Sequence, residues 1–306
     1  MIDLNCKTYL ILFLFFTPLI AFNQVNSTYT LKILGVVQDG GLPHLGSDRI
    51  CCEDFEQNRY VTSVMLINNE TNESYLFDAS PDINKQLNFM GKGIKKNLKG
   101  IFLTHAHIGH YTGLMYFGRE ALNSKLMKVY AMPKMKKFLE QNGPWSQLVS
   151  LENILITELN NNSKISVDSN VIIQPFEVPH RPEFSETVGY KIYGPNKKVL
   201  FIPDIDKWYL WDKSIIDEIK KVDYALVDAT FYDSKEVNYR DISEIPHPFV
   251  IESMELFDSL NEKEKNKIYF IHLNHTNPLL DSNSSEYKDL ISKGYNVAQE
   301  GLVLKL

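Results

Sequence analysis

Short apolar runs recur along this chain, and several end abruptly on a histidine or an aspartate. In the first half, residues 31–37, 62–68, 75–77, 101–103 and 129–132 read as strands, being apolar and flanked by turn-forming residues. The polar stretch 69–74 turns the second into the third. A helix is predicted over 133–141, stopped by Asn142-Gly143-Pro144. Another is predicted beyond Gly113, where Leu114, Phe117, Ala121 and Leu122 recur at helical spacing. Residues 160–164 are polar, but strand patterning resumes beyond them, so they form a loop within one unit. The later runs, 171–178, 199–202, 224–227 and 268–271, are followed by Pro179-His180, Pro203-Asp204-Ile205-Asp206, Asp228 and His272. His275 lies three residues beyond the last of these.

The densest chemistry is Thr104-His105-Ala106-His107-Ile108-Gly109-His110-Tyr111-Thr112-Gly113, with three of the eight histidines. It joins an apolar strand to helical spacing, where a rigid scaffold commonly presents binding residues. Two imidazoles one residue apart can converge on a single ion, and a third can turn back towards it. Neutral imidazole suits zinc, iron, nickel or copper.

This stretch resembles the His-x-His-x-Asp-His motif of the metallo-β-lactamase fold superfamily, and more narrowly a branch related to coenzyme PQQ synthesis protein B. The resemblance runs from about residue 31 to 306 and implies an αβ/βα four-layer sandwich of the α/β class. Residues 28–306 are then one domain, with the strand ends meeting at a single cleft. Carried over, the motif implies His105, His107 and His180 at a first metal position, and His110, Asp204 and His272 at a second. Gly109 stands where the superfamily has aspartate and has no side chain with which to ligate. One tightly held ion is therefore expected, with a second position weak or empty unless His275 or Asp206 serves it. Asp78 and Asp228 are expected to orient ligand imidazoles from behind. Asp204 or Asp206 would hold a metal-activated water, and His247 or His275 would protonate the leaving group. His247 lies in Pro246-His247-Pro248, which resembles the proton-donor loop of phosphodiesterase relatives. The Gly-rich loop from Gln38 to His44 has no phosphate-binding fingerprint. It resembles a structural-metal segment, for which His44, Cys51 and Cys52 remain while Ser47 replaces a first cysteine.

Composition adjusts this picture. A hydrophobic content of 44% supports a large core, and the net charge of −6 disfavours nucleic acid as a partner. The basic run Lys92, Lys95, Lys96 and Lys99 reads as a solvated face. Residues 1–27 resemble a signal peptide: Lys7 precedes an apolar run over 9–21, short for a membrane span of about 20 residues. Cleavage is expected near Ala21 or Ser27, giving a periplasmic or secreted protein that touches a membrane only if the segment is retained. Cys6 lies before the run, out of place for lipidation after cleavage, and adjacent Cys51 and Cys52 make no disulfide scaffold. The expectation is an exported zinc-dependent hydrolase of a small ester, amide or phosphodiester. The alternatives are an iron-dependent oxygenase-type enzyme and a metal- or ligand-binding protein without catalysis. Sequence leaves the substrate and the oligomeric state open.

Overall fold

A computed structural model of the protein describes residues 28–48, 59–91, 96–237 and 245–306. The expected signal segment, Cys6, Cys51, Cys52, Lys92 and Lys95 lie outside the described residues.

Two seven-stranded sheets face each other. The first contains β1 (Tyr29–Gly35), β2 (Ser63–Asn68), β3 (Ser74–Phe77), β4 (Leu98–Phe102), β5 (Met127–Ala131) and β6 (Ile154–Glu158). The second contains β7 (Ile165–Ser166), β8 (Ile172–Glu177), β9 (Val188–Tyr193), β10 (Lys198–Ile202), β11 (Tyr224–Asp228), β12 (Ile268–Ile271) and β13 (Asn296–Val297). The last strand, β14 (Val303–Lys305), returns to the first sheet, and the orders are β14-β1-β2-β3-β4-β5-β6 and β13-β12-β11-β10-β9-β8-β7. The polar loop at 160–164 falls where the chain passes from one sheet to the other.

One apolar cluster fills the space between the sheets. It joins Leu31, Val64, Phe77 and Phe102 to Ile173, Tyr190, Phe201, Leu226 and Ile271. Phe102 stacks on Phe77 and meets Tyr190 edge-on across the gap. Helices Ile83–Phe89, Pro133–Gln141 and Trp145–Ser150 cover the outside of the first sheet. Helices Ile215–Lys220, Val250–Phe257 and Ser285–Ser292 cover the second. This is the four-layer sandwich expected from the sequence. Strands covered on both faces explain the unbroken apolar runs. β3 to β6 and β10 to β13 pair in parallel, so their carboxyl ends share one edge in each sheet. That edge is where open α/β sheets bind ligands.

One local expectation fails. The helical spacing after Gly113 gives only a 3-10 turn, Thr112–Phe117, which ends at Gly118, and Ala121 and Leu122 are exposed. β6, β7, β9, β13 and β14 were not legible. β9, Val-Gly-Tyr-Lys-Ile-Tyr, mixes a glycine and a lysine into its pattern, and β7 and β13 have two residues each.

Candidate metal centre

The loops at this edge bring eight side chains together. His105 and His107 follow β4, and His110 lies in the short helix Ile108–Tyr111. His180 follows β8, Asp204 follows β10 and His272 follows β12. The other two are Asp39, in the loop after β1, and His247, in the loop before the helix Val250–Phe257. Three groupings of donor atoms result, each within 4.8 Å: His105, His107 and His180; Asp39, His110, Asp204 and His272; His180, Asp204 and His247.

Asp204, 2% exposed, is the hub. Its Oδ2 lies 2.9 Å from His110 Nε2, 3.2 Å from His272 Nε2 and 3.6 Å from His105 Nε2. Its Oδ1 lies 3.8 Å from His180 Nε2 and 3.6 Å from His247 Nδ1. His180 Nε2 approaches His107 Nδ1 at 3.3 Å.

Each sheet supplies one fully buried aspartate that holds two histidines. Asp78, just beyond β3, bonds His110 Nδ1 at 2.7 Å and accepts from the Thr104 hydroxyl and backbone N–H. Thr104 Oγ1 in turn stands 3.0 Å from His105 Nδ1. Asp228, at the end of β11, bonds His247 Nδ1 at 2.7 Å and accepts from the Thr230 hydroxyl and backbone N–H. Thr230 Oγ1 stands 3.0 Å from His272 Nδ1. Because each threonine proton goes to the aspartate, its oxygen is left to accept from the imidazole. The outer ring nitrogen therefore carries the proton, and Nε2 faces inward with a free lone pair. Asp206 treats His180 the same way, 3.0 Å from its Nδ1. Asp78 thus stands directly behind His110, Asp228 stands directly behind His247 and reaches His272 through Thr230, and Asp206 bonds His180 instead of joining the donor groupings.

The electrostatics favour metal ligation. Burial holds His105 well below its ordinary pKa and lowers His107 to about 4, so both are neutral ligands at pH 7. Burial works against charge on Asp39 and Asp204, but the neighbouring histidines outweigh it and keep both carboxyls well below the ordinary range. His110 is the exception: burial opposes its charge, yet the carboxylates of Asp78 and Asp39 raise its pKa well above 6.5. Five inward atoms, Asp39 Oδ1, His105 Nε2, His110 Nε2, Asp204 Oδ2 and His272 Nε2, are buried without a hydrogen-bond partner. Buried polar atoms are ordinarily satisfied, so such a cluster calls for an explanation. A cation meets the need of all five, and the donor set fits zinc.

One expectation is corrected in position. His275 is not among the clustered donors: its ring stacks on His44 at 4.1 Å, and its Nε2 meets Ser47 Oγ at 3.1 Å. His272, ending the strand directly, reaches the cluster instead. His44 is engaged by that stack, and its expected partners Cys51 and Cys52 lie outside the described residues. Asp39, Thr104 and Thr230 were missed. Asp39 was masked by its glycine-rich setting, Gln38-Asp39-Gly40-Gly41. Thr230 had a signal in the phrase Asp228-Ala229-Thr230 and Thr104 in its place directly before His105, but nothing local says which imidazole and which carboxylate each would reach.

A beta-lactamase superfamily domain model matches residues 73–273. The chain belongs to that superfamily. Within it the chain falls in a branch similar to coenzyme PQQ synthesis protein B. The protein of that name from Pseudomonas syringae pv. tomato is 24% identical, over 90% of this chain and 99% of its own length. The structure of zinc-bound PqqB from Methylobacterium extorquens covers 90% of this chain and 100% of its own, with a TM-score of 0.74 at 20% identity. A diphosphatase from the PhnP family has a TM-score of 0.63 at 21% identity, covering 90% of this chain and 96% of its own. The superfamily membership and the donor cluster make this a metal-binding protein.

Proposed function

We propose that this protein is an exported, zinc-dependent hydrolase of a small ester, amide or phosphodiester. The observation that carries the proposal is Asp204, buried among His105, His110, His180 and His272 and beside a fifth histidine, His247, whose pKa is raised. His105, His107 and His180 hold the ion. Bound there, a divalent cation supplies an activated water and polarises the oxygen of the scissile bond. Asp204 Oδ1, on the side of His180 and His247, accepts a hydrogen bond from the attacking water and fixes its direction. His247 donates a proton to the leaving group. Burial disfavours its charge, but Asp228 and Asp204 raise its pKa to about 9, so it carries a proton at neutral pH. Pro246 and Pro248 stiffen its loop. The likeness in fold to a diphosphatase supports including phosphate esters among the substrates.

The test is zinc content and turnover of nitrophenyl carboxylate and phosphodiester probes. His105→Ala removes a first-position ligand and is expected to lose the zinc bound at that position. Asp204→Ala and His247→Asn are expected to lose about 10²-fold or more in turnover. Zinc content in His105→Ala equal to that of the unmodified protein would refute the ligand assignment.

A further inference from the structure

We propose that Asp39 and Gly109 form a carboxylate exchange: Asp39, from the loop after β1, is the fourth ligand of a second ion, and Gly109 is glycine because Asp39 occupies its space. The metal-dependent reading above underlies this inference, which adds a second ion and identifies its unconventional ligand.

The geometry is that of a closed site. Donors 2.0–2.1 Å from a tetrahedral zinc stand about 3.4 Å apart. Asp39 Oδ1 lies 3.0 Å from His110 Nε2 and 3.6 Å from His272 Nε2. Asp204 Oδ2 lies 2.9 and 3.2 Å from the same two nitrogens. All four atoms are buried and without hydrogen-bond partners. Three of them come from strand ends or the histidine motif, and Asp39 completes the set from a loop of the first sheet.

Gly109 explains how Asp39 gets there. A Cβ at Gly109 would sit 2.3 Å from Asp39 Oδ1 and 2.8 Å from Asp39 Cα. No real Cβ tolerates either distance, so any side chain at 109 displaces the loop or is displaced by it. Gly109 is helical, not left-handed, so its lack of a side chain serves that approach and not an unusual backbone angle. The loop is also fastened on its far side. Gln38 N–H donates to the Leu273 carbonyl at 2.9 Å, and Gln38 Nε2 donates to Asn274 Oδ1 at 3.0 Å. The His44–His275 stack adds a second tie between the same two loops. These contacts tie the loop that carries Asp39 to the segment that follows His272. His275 is thus a positioning residue here.

The experiment is zinc stoichiometry by elemental analysis at matched free zinc, on the unmodified protein, Asp39→Asn, Gly109→Asp and the double variant Asp39→Gly/Gly109→Asp. Circular dichroism checks that each is folded. The expected result is two ions in the unmodified protein and one in Asp39→Asn, which keeps the shape and removes the charge. Gly109→Asp alone is expected to lose the second ion through collision. The double variant should bind more zinc than Asp39→Asn, since a carboxylate returns beside His110 and the collision is relieved. Equal stoichiometry in the unmodified protein and Asp39→Asn, whether one ion or two, overturns the exchange while leaving the hydrolase reading intact. No bound zinc in folded, unmodified protein overturns both.

Discussion

His110 is fully buried between the carboxylates of Asp78, Asp39 and Asp204. Burial opposes charge on its ring, but the three carboxylates outweigh that and favour a proton there. A metal ligand must be deprotonated, so an ion that enters this position displaces that proton. The sign follows: below its raised pKa His110 is protonated, so metal binding there releases a proton and weakens as pH falls. Zinc titration calorimetry in two buffers of different ionisation enthalpy should give about one proton released per ion at this position, the value expected for one displaced proton. Identical heats in both buffers would show that His110 is already neutral. At this scale the sequence was a good guide to histidines on strand ends and a poor one to Asp39. A histidine cluster is visible locally, whereas the carboxylate that completes it lies about 70 residues earlier in the chain and is identified only by what it touches.

The strand ends do more than carry ligands. Asp78, one residue past β3, and His272, one residue past β12, are both left-handed, with φ of 64° and 67°. Such angles cost a non-glycine residue about 1–3 kcal/mol and persist where surrounding bonds enforce them. Here they turn the chain out of the sheet just as the side chain reaches the cluster. The histidine motif is pinned to β3 as well: Ala79 N–H donates to the His110 carbonyl and Gly113 N–H to the Ala79 carbonyl, both at 2.9 Å. A Cβ at Gly113 would lie 2.1 Å from the Ser80 carbonyl oxygen. Gly113→Ala is therefore expected to destabilise the fold by about 1–3 kcal/mol, as overpacking does, and to loosen zinc by separating His110 from Asp78. Urea denaturation of the metal-free protein measures the first effect, and an unchanged midpoint would contradict it. The apolar strands and the helix Pro133–Gln141 were legible because covered strands read as unbroken apolar runs and Asn-Gly-Pro marks an end. The failed helix beyond Gly113 was not, because apolar spacing records only that side chains want burial. Gly118 and the pins to β3 decide where the turn stops.

For the whole molecule, the N-terminal segment predicts location. A short apolar run behind one lysine precedes the described fold, and β1 begins at Tyr29. Sequencing the N-terminus of protein recovered from outside the cytoplasm should give a start near residue 22 or 28. Intact Met1 in a soluble cytoplasmic fraction would refute export. The fold class was legible in the sequence through the family resemblance that the histidine motif carries, and so was the placing of histidines and aspartates at strand ends, because strand patterning and residue type are local properties. Which residues share a donor set was decided by tertiary structure. The two sheets meet only when Phe77, Phe102, Tyr190 and Phe201 bury one another. That packing brings the edge of β1 against the end of β12, and with it Asp39 against His272. The same contact takes His275 away to His44, and at the ends of β8 and β10 the second sheet sets Asp206 against His180. Distances between loops far apart in the chain depend on how whole sheets pack, and no window of sequence contains that information.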